Sequence, residues 1–370
     1  MLNRLRRPIP FSSFFLAILM LWLTSCAQTA EPGITVTVSL PGALATTTST
    51  HVPTETAAPT FTPSPSRTPL PPTSTLQPTS TPTVPTATPR PTDRHALGDT
   101  LTRPADGMLM LYVPSGEFLM GSADTDPVAQ PQERPQHTVY LDPFWIDRTE
   151  VTVAQFRLFV QATGYRTTAE EQGGAYAYVE SAGEWQEVDG ADWQHPFGPQ
   201  SNAVDNHPVT QVTWSDAVAY CTWTGGSLPT EAQWEKAARG SDGRLYPWGD
   251  AFDGALLNYC DASCGGDATF DDDYPFTAPV GSYPAGASPY GALDMAGNVW
   301  EWTADRYNSS YYAHSPSENP TGPTSGASRV LRGGSWNHDR TGMRVAYRLD
   351  APRSTIVDNF GFRCVWPVGN

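Results

Sequence analysis

The segment Asp294-Met-Ala-Gly-Asn-Val-Trp-Glu301 sets two carboxylates on either side of a glycine turn. Hard cations such as Ca²⁺ take about six to eight oxygens and mix carboxylates with backbone carbonyls. Asp294 and Glu301 can clamp one ion, with the carbonyls of Gly297 and Val299 adding to the set. A second acidic run, Asp271-Asp272-Asp273-Tyr274, can act with Asn258 and the Tyr259 carbonyl. A solvated acidic loop is the other reading of either cluster.

Softer metals and nucleophilic catalysis find less support. The seven His stand at 51, 95, 137, 195, 207, 314 and 338. None are three or four apart, the spacing that puts two ligands on one helical turn. Ser335 has no evident His-Asp relay. His207, just before Pro208, reads as structural. Glu231 and Glu235 flank Trp234 and read as capping and surface charges rather than an acid/base pair. Trp300, Trp302 and Trp336 can line a binding face, although such residues more often fill a core. Arg332, Arg340, Arg344, Arg348 and Arg363 gather near the C-terminus, either to pair with carboxylates or to form a basic patch.

These side chains need elements to place them. Thr152 with Gln155, and Thr230 with Gln233, have the capping-box spacing. The first opens a helix that closes at Gly164, and the second a helix that closes at Gly240. A further helix starts near Ser215 and runs through Cys221 toward Gly225. Short strands are expected at Leu109–Val113, His137–Leu141, Val299–Thr303, Arg329–Gly333 and Gly361–Trp366. The rest is Gly, Pro and Asp loop. The expectation is an α+β domain over 106–370 with much irregular structure.

What precedes it is an address and a tether. Arg4, Arg6 and Arg7 lead into an apolar stretch, Phe11 to Leu23, too short to span a bilayer as a helix. It ends in Leu23-Thr24-Ser25-Cys26, a sequence that resembles a bacterial lipobox with Cys26 as the lipidated residue. Residues 1–26 are thus expected to be a lipoprotein signal peptide and the mature protein to lie outside the cytoplasm, touching the membrane only through its lipid. Residues 27–105 read as a disordered tether, since Thr, Pro and Ser make up 34 of the 47 residues from 46 to 92. As a flexible coil it would reach about 50 Å. The chain of 370 residues has a net charge of -16. The first 26 residues carry +3 and the tether is neutral, so 106–370 carry -19. That balance argues against nucleic acid, whose phosphates need a Lys/Arg surface.

Removing Cys26 from the five Cys leaves four, with three possible pairings. A local Cys260–Cys264 bridge is sterically reasonable and would leave Cys221 to meet Cys364. So long a loop would stabilise by roughly 4–5 kcal/mol through the unfolded chain's lost entropy. Four buried thiols are the alternative.

A resemblance then becomes specific. Val113-Pro-Ser-Gly-Glu-Phe-Leu-Met-Gly121, Ile146-Asp-Arg-Thr-Glu-Val-Thr152, His207-Pro-Val-Thr-Gln-Val-Thr-Trp214 and Leu228-Pro-Thr-Glu-Ala-Gln-Trp-Glu235 follow one another in order. Tyr246-Pro-Trp-Gly-Asp250, Gly297-Asn-Val-Trp-Glu-Trp302, Arg332-Gly-Gly-Ser-Trp336 and Gly361-Phe-Arg-Cys364 continue the series. Together they resemble the formylglycine-generating enzyme family, also called sulfatase-modifying factor. The resemblance implies an elaborated C-type-lectin-like fold, low in regular structure. It implies two structural Ca²⁺ sites, one at Asn258, Tyr259, Asp272 and Tyr274, the other at Asp294, Gly297, Val299 and Glu301. It also implies a Cys221–Cys364 disulfide.

The family's enzymes hold copper on two Cys shortly after Gly-Gly-Ser and convert a substrate Cys to formylglycine. Here His338 and Met343 stand at those two positions. Soft thiolates suit Cu(I), and neither is present there. Copper is therefore not expected. The expected function is a non-catalytic, calcium-stabilised scaffold for an unknown protein or glycan ligand, with Trp336, Asn337, His338, Arg340 and Arg344 as the ligand surface. The alternative is an extracytoplasmic metal-dependent oxidase or oxygenase, of formylglycine-generating or non-haem iron type.

Overall fold

The protein is described from a computed structural model over residues 94–368. Cys26, the expected signal peptide and the tether up to residue 93 lie outside the described residues. Among the described residues, each α-helix opens on a threonine that closes a capping box. Helix α1 (Val153–Thr163) pairs Thr152 with Gln155, and α2 (Thr168–Gln172) pairs Thr167 with Glu170. Helix α3 (Trp214–Trp223) pairs Thr213 with Asp216, and α4 (Glu231–Arg239) pairs Thr230 with Gln233. Helix α1 ends on Gly164 at φ 69°, a left-handed position where a Cβ would be strained. Three of these helices were expected at nearly these bounds. Helix α2, only five residues long, was not.

Two four-stranded sheets organise the rest. The first has the order β1-β2-β5-β12, with β1 (Thr100–Thr102), β2 (Leu109–Val113), β5 (Phe144–Asp147) and β12 (Val365–Pro367). The second has the order β10-β9-β8-β11, with β8 (Trp300–Arg306), β9 (Ser328–Arg332), β10 (Leu349–Pro352) and β11 (Phe360–Gly361). Two hairpins complete the described strands, β3 (Gly116–Met120) with β4 (His137–Leu141), and β6 (Gly174–Val179) with β7 (Glu184–Asp189).

The strand expected over Gly361–Trp366 is in fact two. β11 runs parallel to β8 in one sheet, and β12 runs antiparallel to β5 in the other. Phe362, Arg363 and Cys364 cross between them. Their backbone is tied by Val151 N–H donating to Phe362 O at 2.9 Å and Asp147 N–H donating to Cys364 O at 3.0 Å. Two buried clusters flank the crossing. One gathers Phe156, Trp193, Tyr220, Trp300, Trp302 and Phe362, and the other Phe118, Val139, Ile146, Trp234 and Met295. The three tryptophans proposed for a binding face, Trp300, Trp302 and Trp336, are all buried.

The folded part begins earlier than Asp106. Strand β1 precedes that residue, and Arg103 is wholly buried. Its guanidinium donates to Asp106 at 2.9 and 2.6 Å and to Asp147 at 2.7 and 3.2 Å. A buried cation held by two carboxylates is core, so residues 100–105 belong to the domain and not to the tether.

Candidate functional site

The loop after β9 lies against two others. Trp336 N–H donates to Asn298 O at 2.9 Å, Gly297 N–H to Gly333 O at 2.8 Å, and Asn298 N–H to Asn258 O at 2.8 Å. Ser335 Oγ donates to Asn337 Oδ1 at 2.6 Å, and Asn359 Nδ2 donates to the same oxygen at 2.7 Å. The Trp336 ring is walled by Phe276, Tyr178 and Trp185, at centroid distances of 5.0, 6.0 and 6.2 Å. Behind them Asp358 accepts from Tyr178 N–H at 2.7 Å and Trp185 Nε1 at 2.8 Å, and burial pushes its pKa up to about 6.

His338 is half-buried, edge-on to Trp300 at 5.4 Å and to Tyr347 at 5.7 Å. Met343 is fully buried in a cluster with Tyr246, Leu257, Tyr259 and Ala296. Its sulfur is packed so closely that a Cβ on Gly334 would meet Sδ at 2.5 Å. The expected ligand surface shrinks accordingly. Trp336 and Arg344 are buried, and Arg344 is spoken for by Glu133, at 2.7 Å from each of Nη1 and Nη2, with Asp126 near Nη1 at 3.4 Å. Asn337, His338 and Arg340 keep some exposure.

Glu231 and Glu235 are not surface charges. Both are buried. Glu231 accepts from Arg348 at 2.6 and 2.9 Å, and Glu235 accepts from Arg332 and from Gly121 N–H, the latter at 2.7 Å. A carboxylate survives burial when a guanidinium fork faces it. Of the five C-terminal arginines, Arg332, Arg344, Arg348 and Arg363 are buried in such pairs, and Arg340 is exposed. His207 Nδ1 bonds the Thr277 hydroxyl at 2.9 Å, and burial lowers its pKa.

The oxygen clusters lie beneath this loop. Asp294 takes a left-handed backbone, φ 57°, and its Oδ2 accepts from Gly281 N–H at 2.6 Å. Gly297 has φ +83°, and a Cβ there would run into the Asn258 carbonyl. Glu301 is fully buried and accepts from Arg363 Nε and Nη2, each at 2.7 Å, and from Trp234 Nε1 at 2.9 Å. Sequence reasoning missed Glu150. It is fully buried, Oε1 accepts from Asn298 Nδ2 at 3.1 Å, and Oε2 has no hydrogen-bond partner. Burial, then Asp294, then Glu301 hold its pKa well above the usual carboxylate range, with Arg363 opposing. Asp294 is also raised, chiefly by burial. The sequence signal was a lone Glu immediately before Val151 and the α1 cap, inside a matched motif.

At the first cluster, Asn258 Oδ1 is buried without a partner while its Nδ2 donates to Phe276 O at 2.8 Å. Asp272 accepts from Tyr274 N–H at 2.9 Å and Tyr283 OH at 2.5 Å, and burial raises its pKa. A cavity of about 430 Å³ opens here, lined by Phe270, Asp271, Asp272, Tyr274 and Tyr283 among others. Among the described residues no three His, Cys, Asp or Glu side chains close on one point. An ion at either place would draw on carbonyls, water and an amide oxygen as well, which hard cations accept. Orphaned Glu150 Oε2 and Asn258 Oδ1 suit such an ion.

Residues 98–368 match the family described as sulfatase-modifying factor enzyme 1-like domain. The chain belongs to this family. The formylglycine-generating enzyme of Streptomyces coelicolor is 42% identical over 286 residues, covering 71% of this chain and 90% of that protein. The inactive C-alpha-formylglycine-generating enzyme 2 of Mus musculus is 35% identical, covering 70% of this chain and 86% of that protein. Among solved structures, PvdO from Pseudomonas aeruginosa superposes with a TM-score of 0.59 at 28% identity, over 73% of this chain and 98% of that one. The family fold expected from the motifs is therefore the fold of this chain.

Within that family scaffold the sulfur is accounted for. Cys221 on α3 is bonded to Cys364 across 143 residues, and Cys260 is bonded to Cys264. Every cysteine among the described residues is thus in a disulfide, and the buried-thiol alternative is set aside. Cys364 N–H also donates to Asp147 Oδ2 at 2.9 Å, which ties the long bridge to the Arg103 pair.

Proposed function

We propose that the domain is a calcium-stabilised, non-catalytic ligand-binding module, held outside the cytoplasm by a lipid on Cys26 and a Thr/Pro tether. The observation that carries this reading is the fate of sulfur around the loop after β9. The described cysteines are bonded to each other, and the Met343 thioether is packed into the core. A thiolate copper centre needs two free sulfurs at the places where His338 and Met343 stand. The mouse relative, named as inactive, is a precedent for the scaffold without the activity.

Calcium is supported by the surplus of buried carboxylates and by the two orphaned oxygens. Its proposed ligands are Asn258, Tyr259, Asp272 and Tyr274 at one site and Asp294, Gly297, Val299 and Glu301 at the other, with Glu150 beside the second. The proposed ligand face is Asn337, His338 and Arg340, next to the half-buried rings of Tyr178, Trp185 and Phe276. Its partner is a protein or glycan.

The deciding experiment supplies the full chain with copper, O₂ and a Cys-x-Pro-x-Arg peptide, and reads the peptide mass. No aldehyde is expected, beside conversion by the Streptomyces coelicolor enzyme as control. Conversion would overturn the reading. Metal analysis of protein purified without chelators is expected to find calcium. Stoichiometric copper or iron would favour the metal-dependent oxidase instead.

A further inference from the structure

Arg306 on β8 and Arg329 on β9 are direct partners in the strand register. Like charges placed directly opposite repel. On the other side of β9, Ala351 of β10 pairs with Arg329, and Arg353 follows that strand by one residue. Three guanidiniums therefore stand on or beside three neighbouring strands. Arg329 is stacked on the Trp214 ring, 3.7 Å from its centroid, and donates to Ala304 O at 2.7 Å. Arg306 donates to Gly326 O at 2.6 Å. Arg353 is exposed, and its carbonyl accepts from Trp214 N–H at 3.2 Å. These bonds position the heads without neutralising them.

Among the described residues none of the three forms a salt bridge with a carboxylate, although acidic residues outnumber basic ones by 38 to 22. Of the neighbouring acids two are occupied, while Asp350, beside Ala351 on β10, is exposed and makes no salt bridge to the three. Asp216 is held by Thr213 and Thr168, and Asp305 accepts from Glu231 N–H at 2.9 Å. Burial pushes the Asp305 pKa up to about 8, against the pull of Arg348 and Arg329. Burial and then the charges of Arg306 and Arg353 hold Arg329 below its ordinary value. The buried arginines of this domain all have carboxylates, and this surface triad does not.

A guanidinium fork matches the oxygens of a tetrahedral anion in pairs, and a neighbouring aromatic face keeps it planar and in place. We infer that Arg306, Arg329 and Arg353 form a binding site for a sulfate or phosphate group, free or as an ester. A membrane headgroup and a soluble esterified glycan both carry that group, and the test separates them.

The chain begun at residue 27, without Cys26 and the apolar segment before it and so without lipid, is titrated calorimetrically with inorganic phosphate and with sulfate. It is also sedimented with phosphatidylglycerol and with phosphatidylcholine vesicles. Both anions are expected to bind in the millimolar range and more weakly as salt rises. Arg353→Gln, which leaves the Trp214 bond to the main chain in place, is expected to weaken binding about tenfold. The Arg306→Gln/Arg353→Gln double variant is weaker still, and Arg94→Gln, an exposed arginine outside the triad, is unchanged. A preference for phosphatidylglycerol that is lost in Arg353→Gln assigns the group to a lipid. Anion binding without that preference assigns it to a soluble ester. Equal binding by Arg353→Gln and Arg94→Gln, or no binding of either anion, overturns the inference. Melting curves of each variant show whether a loss comes from unfolding. None of these outcomes depends on whether the peptide aldehyde forms.

Discussion

Arg363 carries one buried positive charge that three carboxyl groups, Glu301, Glu150 and Asp294, act upon. Burial works against its charge, and Glu301 together with Glu150 and Asp294 more than restores it. Breaking a buried pair of this kind costs about 3–5 kcal/mol, because the abandoned carboxylate stays in low dielectric. Arg363→Met is therefore expected to lose about that much stability in EDTA and visibly less in calcium, read by urea unfolding. Proton uptake gives a second handle. Glu150, Asp294 and Asp358 all have folded-state pKa values above the ordinary carboxylate range, so protonation favours the fold. The gain is complete below the unfolded value and is lost as pH rises through the folded one, which for Asp358 is about 6. In EDTA, Asp358→Asn is expected to remove stabilisation that the parent chain gains on acidification from about 6 to about 4. The extra stability from calcium is expected to shrink over the same descent, because an ion needs Glu150 and Asp294 ionised. Asp294 and Glu301 were legible in the sequence because seven residues and a glycine turn separate them. Glu150 was not, since its link to Asn298 spans 148 residues.

Helix starts were the most legible elements, because a capping box is closed by residues three apart and needs nothing from the rest of the chain. Thr152 and Thr230 cap as expected, while the helix expected from near Ser215 is capped by Thr213, which was not singled out. Strands β1, β3, β5, β6, β7 and β10 were not expected. They are three to six residues long; β6 and β7 pair with each other across a short turn, whereas β5 lies between β2 and β12, which are far apart in the chain. The burial of Glu231 and Glu235 was misread for a related reason: their arginine partners lie 117 and 97 residues away. Helix α4 thus joins a local signal to a long-range one. Removing the cap with Thr230→Ala is expected to cost about 1 kcal/mol. Glu235→Ala, which strands Arg332 and the Gly121 N–H, is expected to cost about 3–5 kcal/mol. Chemical denaturation of the two variants side by side checks the order. Equal losses would mean that Glu235 is less committed to Arg332 than its hydrogen bonds indicate.

Both ends of the folded part meet in one sheet, since β1 and β12 are its two edge strands. The Thr/Pro run ends at residue 92, and the boundary was expected further on, near Asp106. Composition could not show that Arg103 is buried, for a single arginine looks the same in a linker and in a core. The Arg103 guanidinium holds Asp106 and Asp147. Asp147 holds the Cys364 N–H, and Tyr220 donates to Asp106 next to the other half-cystine. A chain begun at Asp106 would keep both carboxylates and lose their cation, along with β1. It is expected to be destabilised by about 3–5 kcal/mol or more relative to one begun at residue 94, with the Cys221–Cys364 bond intact in both. Thermal unfolding of the two forms measures the difference. Adding calcium is expected not to close it, since the lost charge sits at Asp147 and not among Glu150, Asp294 and Glu301. Equal melting temperatures would show that Arg103 only lines the fold, and would return residues 94–105 to the tether.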